Sequence, residues 1–280
     1  MSWQKIRVSD FAQASNCPRL LHHSIQHEYG DFSEDVYLGI EYNPLKQAIS
    51  TRKIRYDATA AGEVAHDILA YILSKPIDEQ IDLLNQFRVK LRTTFPFKPP
   101  LDEMLEPFIP HKMYASNHDP RLNDIVQASR QLLAQWINFV NNSSREILSI
   151  HTEKPLFMRI NSWLDQPVYV LGRADVVVEF QDGFEIIDFK TGSFSHFSEW
   201  SAQLSIYGQM LRSMNKSITK IGLRIIHPDL DLRRGKLKFD ESVFNTRPDQ
   251  NDEIVSDHCQ FCPLKVSCEK YQGKLESFVW

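Results

Sequence analysis

The chain has 280 residues, 42% of them hydrophobic, with 32 Lys and Arg against 36 Asp and Glu for a formal net charge of −4. That length can bury a substantial core as one large domain or two modest ones, and no apolar run approaches the roughly eighteen residues of a membrane span. A net negative chain has no bulk attraction for nucleic acid, so contact with a polyanion would have to rest on local basic groups and bound metal.

Residues 1–7 lack the apolar core of a signal peptide, and a soluble cytoplasmic protein is expected. Ser9 reads as an N-cap, opening a short helix at Asp10 that stops before Cys17-Pro18. Pro18 suits a first helical position and starts a second helix toward His27. A longer helix is expected over 59–74, with Ala61, Val64, Ala65, Ile68, Leu69 and Ile72 as its apolar stripe and Pro76 ending it. His66 lies just off that stripe, one turn after Gly62, and reads either as an interface histidine or as a ligand. Two further helices are suggested over 79–91 and 121–140, separated by a proline-rich stretch, so 76–146 reads as a helical insertion beside the core.

Strands follow near 147–158, which carries Glu153, and at 168–171, and then a β-hairpin. Val176 to Phe180 and Phe184 to Ile187 are β-branched or aromatic runs flanking Asp182-Gly183, a dipeptide favoured in two-residue turns. With that turn, Gln181 pairs with Phe184, Val177 faces Asp188 and Asp175 faces Lys190. Opposed residues share a face, as do residues two apart on a strand, so Asp175, Asp188 and Lys190 would cluster on one face. Two carboxylates and an ammonium so placed read as a metal site or as a salt-bridged strand end. A helix over 198–213 carries Trp200, Leu204, Tyr207 and Leu211 on one stripe. Gln203 lies four residues before Tyr207, and the two are either a solvated glutamine with a core tyrosine or partners in one site. Strands at 218–226 and 236–239 complete a mixed sheet.

Basic groups fall at Arg52, Lys53 and Arg55, at Lys216, Lys220 and Arg224, and along 233–238; such runs are solvated faces or polyanion contacts. The four cysteines are Cys17 and a late cluster, Cys259, Cys262 and Cys268. A disulfide framework is not expected in a large chain without secretory signals. A C-x2-C-x5-C cluster with one distant thiol fits an iron–sulfur cluster better than zinc, although His258 could replace one thiol in a zinc site. Inert buried thiols are a third reading. With metal bound, the site is a structural clasp between the two ends of the chain.

Taken in order, Gly62-x3-His66, Gly172-Arg173-Ala174-Asp175, Asp188-Phe189-Lys190 and Gln203-x3-Tyr207, bracketed by Cys17 and the Cys259, Cys262, Cys268 cluster, resemble the RecB-type branch of the PD-(D/E)XK nucleases. That branch includes the iron–sulfur exonucleases associated with CRISPR adaptation. The third motif has Asp188 where many relatives have glutamate, a shorter arm that the superfamily pattern permits. The resemblance implies a restriction-endonuclease-like α/β fold, a mixed sheet flanked by helices, with a [4Fe-4S] clasp on Cys17, Cys259, Cys262 and Cys268. By the same analogy His66, Asp175, Asp188 and the Phe189 carbonyl bind Mg²⁺ or Mn²⁺, Lys190 positions or activates the attacking water, and Gln203 and Tyr207 orient DNA or the Lys190 amine. Glu153 would be an outlying carboxylate behind them.

One nuclease domain is expected over 1–280: N-terminal helices over 1–75 with the first cluster cysteine, the insertion over 76–146, the catalytic α/β core over 147–240 and a cysteine-rich segment over 241–280. Hard oxygen ligands favour Mg²⁺ or Mn²⁺, and an imidazole tilts the choice toward Mn²⁺. The expected activity, implied by the resemblance, is metal-dependent exonuclease cleavage of single-stranded DNA ends. A G-x-x-x-x-G-K-[ST] phosphate loop is absent from the sequence, so a helicase would be a partner, as would CRISPR adaptation proteins; no membrane partner is expected. Two alternatives stay open: a non-catalytic DNA-binding or assembly subunit on the same scaffold, and a zinc-clasped nuclease acting on RNA.

Overall fold

The structure is a computed structural model that describes residues 2–15, 17–40, 58–76, 78–80, 120–191 and 196–248, without side chains at 58–65, 120–127 and 129–130. Seven strands form one mixed sheet: β1 (Ser2–Arg7), β2 (Gln26–Tyr29), β3 (Ile147–Ile160), β4 (Val168–Phe180), β5 (Gly183–Phe189), β6 (Ile221–Ile226) and β7 (Lys236–Leu237). The helices are α1 (Val8–Ala14), α2 (Pro18–Ser24), α3 (Glu34–Leu38), α4 (Ala58–Leu73), α5 (Pro120–Asn141) and α6 (Phe197–Met214). Among the described residues no helix is long and apolar enough to cross a membrane.

Two apolar clusters hold the sheet between helices. Ile68, Leu69 and Ile72 of α4 and Leu132, Leu133 and Trp136 of α5 pack with Val176, Val178, Phe180, Ile187 and Phe189. Phe11 of α1 and Leu204, Ile206, Tyr207 and Met210 of α6 pack with Val168, Val170, Ala174, Val177, Ile186 and Ile225. Each buried aliphatic or aromatic side chain contributes about 1.5–3 kcal/mol of transfer free energy, so the helices are docked by their stripes rather than by propensity.

Several readings need correction. Helix α1 opens at Val8 with Arg7 at its N-cap, so Ser9 lies inside the helix instead of capping it, and β6 starts at Ile221 instead of at 218. The second helix stops at Ser24 instead of running toward His27, because residues 26–29 pair antiparallel with β1, itself a strand that its mixed composition concealed. The strand expected to stop at Leu171 is continuous with the first strand of the hairpin, giving the 13-residue β4. The hairpin turn lies one residue earlier than expected: Phe180 pairs with Gly183 and Glu179 with Phe184, leaving Gln181-Asp182 as the loop. Gly183 has φ +144°, a conformation L side chains rarely adopt, and a Cβ there would collide with the Lys220 carbonyl. The glycine therefore opens β5 against the incoming chain instead of occupying the turn. The register moves by two residues, which keeps every side chain on its face. Outward from Val176–Ile187, the next position sets Asp175 against Asp188 instead of Lys190.

The basic groups beside β6 are engaged within the protein. Lys220 pairs with Asp182, and Arg224 Nε pairs with Glu185 at 2.5 Å, so neither is an uncommitted polyanion contact.

Candidate active site

β4 carries the site because its two edges are used differently. β3 pairs along one edge from end to end. The other edge is shared: β1 runs parallel to it over Val168 to Leu171, and β5 antiparallel to it over Val176 to Phe180. Residues 172–175, Gly-Arg-Ala-Asp, fall in the fork where β1 has ended and β5 has not yet joined. Their polar groups find other partners. The Tyr37 hydroxyl donates to the Gly172 carbonyl at 2.9 Å, and Arg173 donates to the carbonyls of Glu153 at 3.1 Å and Ile40 at 2.9 Å.

The fork is also where side-chain alternation breaks. Val170 and Ala174 belong to the cluster on α1 and α6, whereas Val176 and Val178 belong to the cluster on α4 and α5. β3 changes sides at the same level: Leu156 and Met158 lie in the first cluster, and Ile150 packs on the second. Glu153 sits at the change with φ 47°, a left-handed conformation for a non-glycine residue. Asp175 and Glu153 thereby occupy the point at which the sheet passes from one core to the other.

Around that point the expected side chains gather in two linked pairs. Asp175 Oδ2 accepts from the Phe189 N–H at 2.8 Å and lies 3.3 Å from His66 Nδ1 on α4. Asp188 is 1% exposed, and its Oδ2 lies 2.7 Å from Lys190 Nζ, a charge-paired contact. Lys190 Nζ donates to Gln203 Oε1 at 3.0 Å, and Gln203 shares a hydrogen bond with the buried Tyr207 one turn along α6. Gly172 makes room for this arrangement, since a Cβ on it would come within 2.8 Å of the Tyr207 ring and 2.6 Å of Val8.

Negative charge is in excess. Burial and the neighbouring Asp175 push Glu153 up to about 9, against the pull of Arg173. Burial pushes Asp188 up to about 6, because losing solvent outweighs the attraction of Lys190. Burial pulls Lys190 down, but Asp188 and Asp175 outweigh it and hold the ammonium above its ordinary value. Burial, and then the charge of Asp188, keeps Tyr207 a neutral phenol. Lys190 is the cation of the pair and stays protonated through the neutral range.

Among the described residues no group of three or more His, Cys, Asp and Glu side chains stands at metal-ligand spacing. The donor set nevertheless suits a hard divalent cation: the Asp175 and Asp188 carboxylates and the His66 imidazole are hard or borderline donors gathered at one point, and Asp188 is almost fully buried there. Cys17 is a partly buried free thiol at the N-cap of α2, while His258, Cys259, Cys262 and Cys268 lie outside the described residues. Sequence reasoning gave Glu153 only a supporting place. Its position opposite Asp175 would have raised it, but the backbone break there has no local signature. Tyr37, which anchors Gly172, lies 135 residues away in the chain and offered no signal.

A mixed sheet whose central strand pair presents an Asp and an Asp-x-Lys beside a helix histidine defines a class of α/β nuclease folds. A family model described as the PD-(D/E)XK nuclease superfamily matches residues 44–269. The chain belongs to that superfamily. A solved structure described as "Crystal structure of SSO0001" is 18% identical, with a TM-score of 0.34, covering 71% of this chain and 98% of that one. No curated protein matches the chain.

Proposed function

We propose that this protein is a Mg²⁺- or Mn²⁺-dependent deoxyribonuclease that degrades single-stranded DNA from its ends, with a [4Fe-4S] cluster on Cys17, Cys259, Cys262 and Cys268 clasping the chain. The observation that carries the nuclease reading is Lys190 Nζ, held between Asp188 at 2.7 Å and Gln203 at 3.0 Å beside the Asp175 carboxylate. His66, Asp175, Asp188 and the Phe189 carbonyl are the groups that would hold the cation. When bound, a divalent ion supplies Lewis acidity to the scissile phosphate and acidifies water.

Lys190 keeps a fixed positive charge where the transition state gathers negative charge, a contribution of about 3 kcal/mol for one such group. Gln203 fixes the direction of that ammonium, and the neutral Tyr207 fixes Gln203. End preference, DNA over RNA, and partnership with a helicase or with CRISPR adaptation proteins follow the resemblance of the motifs.

The experiment is cleavage by anaerobically purified protein with Mn²⁺ on end-labelled single-stranded DNA, duplex DNA and RNA, beside Asp188→Ala and Lys190→Ala. Release of short products from single-stranded DNA by the wild type alone is the expected result. Cleavage retained by both variants overturns the site assignment, and no cleavage by any form returns the protein to a binding or assembly role.

A further inference from the structure

An open cavity lies away from the strand fork, where the start of β4 meets β1 and α2. Gln4, His22, His23 and His27 line it on one side, and Trp163 and Asp165 from the β3–β4 loop line it on the other, and it is open to solvent with a volume of about 730 Å³. That volume falls in the range of small-molecule sites. None of these residues takes part in the chemistry above.

Gln4 is the informative member. It is 7% exposed in the middle of β1, its Oε1 has no hydrogen-bond partner, and its side chain borders the cavity. A buried carbonyl oxygen left unpaired costs about 1–3 kcal/mol, and β1 holds Gln4 in place between Val168 and His27. The terminal amide torsion is soft and two-fold, so a ligand can meet either end of the group.

The rest of the lining narrows the ligand. The described imidazoles and carboxylate do not stand at metal-ligand spacing, which disfavours a cation. The Asp165 carboxylate opposes a phosphate. Trp163, Leu164 and Ile25 offer apolar and aromatic walls, and the Trp163 ring stands edge-on to Phe11 at 4.8 Å, which braces it. A neutral, flat heterocycle with donors and acceptors along one edge satisfies all of these groups at once.

We infer that this cavity is a subsite for an unpaired nucleobase of the bound strand, with Gln4 hydrogen-bonding the base edge and Trp163 stacking on the ring. The base must be unpaired, because pairing would occupy the edge that Gln4 needs. The inference rests on the nucleic-acid reading of the protein and deepens it. From Val168, beside Gln4, to Asp175 is seven residues of β4, roughly 23 Å at ~3.3 Å per residue. That span corresponds to about seven nucleotides at the ~3.4 Å duplex rise, and to fewer in an extended strand.

The test is binding in EDTA, which needs no cleavage. Fluorescence anisotropy compares labelled single strands of about 4 and about 12 nucleotides on the full-length protein, beside Gln4→Leu, Trp163→Ala and Trp163→Phe. Wild type binds the longer strand more tightly, and the ratio of the two affinities falls about tenfold in Gln4→Leu and Trp163→Ala. Trp163→Phe keeps most of the ratio, and thermal unfolding confirms that each variant is folded. Strands carrying 5-iododeoxyuridine at successive positions, irradiated and digested, give a cross-link at Trp163 or His27. An unchanged affinity ratio in both disruptive variants, or no cross-link to this lining from any position, overturns the subsite. A tenfold fall in both variants, alongside a wild type that never cleaves, leaves the subsite standing and removes only the nuclease reading.

Discussion

Glu153 stands across the β3–β4 pair from Asp175, between the matched positions Thr152–Val176 and Lys154–Ala174, and is the one non-glycine residue with positive φ among the described residues. Two carboxylates are thus set against each other where the backbone is already strained. Such an arrangement is costly in the absence of a cation and is relieved by one.

The first prediction concerns that cost. Glu153 is raised from 4.5 to about 9. In the folded protein it keeps its proton through the neutral range, while the unfolded chain loses its own near the ordinary value. A folded pKa raised above the unfolded one contributes stability that is fully present below the unfolded pKa and lost as pH rises through the folded pKa. Glu153→Gln does not ionise, so in EDTA it should match wild type near the ordinary glutamate range and exceed it increasingly up to about pH 9. The gain should be on the order of 1–2 kcal/mol, less than the full shift because the side chain keeps some solvent contact. Thermal melts across that range check it, and a difference that does not grow with pH would count against the carboxylate pair.

Asp188 makes the second prediction. Its pKa is raised to about 6, so it takes up a proton as pH falls through that value and can no longer serve as the anionic ligand proposed for it. Mn²⁺ affinity should be flat above about pH 7 and fall about tenfold per pH unit below about 6. Asp188→Asn should abolish most of the binding and the pH dependence with it. Calorimetric titration with Mn²⁺ reads both. Affinity that stays level through the acid range would place the cation elsewhere.

The survival of the Asp175–Asp188–Lys190 cluster under a wrong register shows what the sequence carries well and what it does not. Alternation assigns faces, and a two-residue slip leaves faces alone, so the cluster was legible even though Asp175 opposes Asp188 rather than Lys190. The slip itself arose from Gly183, whose φ of +144° serves the crossing of Lys220 rather than the turn. The α6 stripe was legible for the same periodic reason, and Gln203 does reach Lys190. The fork in the sheet was not, because it is produced by β1 pairing with β4 across more than 160 positions. Non-local pairing leaves no trace in local composition.

The third prediction follows from the fork. A Cβ on Gly172 would press on Val8 Cγ2 and on the Tyr207 ring, at 2.6 and 2.8 Å. Gly172→Ala should therefore cost about 1–3 kcal/mol, the usual penalty for overpacking, and displace Tyr207 from Gln203. Cleavage should fall more than stability alone explains, and adding Tyr207→Phe should change it little further. A double-mutant cycle on both rate and melting temperature decides it. Additive effects would show that Gly172 acts on the fold without acting through Tyr207.

Cys17 provides the last test, and it separates the proposed clasp from the nuclease centre. Its thiol is partly buried at the N-cap of α2, with its N–H donated to the Ala14 carbonyl at 2.9 Å and its own carbonyl accepting from Leu21 at 2.9 Å, so the backbone there is held rigid. A rigid thiol at a helix junction suits a permanent ligand better than a reactive one. Cys17→Ala and Cys262→Ala should each lose the visible absorption of the cluster and melt at lower temperature, by an amount similar for the two because either loss opens the same clasp. Asp188→Ala should keep the colour while losing cleavage. Iron and sulfide analysis of wild type, with absorption spectra of the three variants, reads all of these. Zinc in place of iron, or unchanged melting of both cysteine variants, would remove the iron–sulfur clasp and leave the nuclease assignment to stand on Lys190 and its carboxylates.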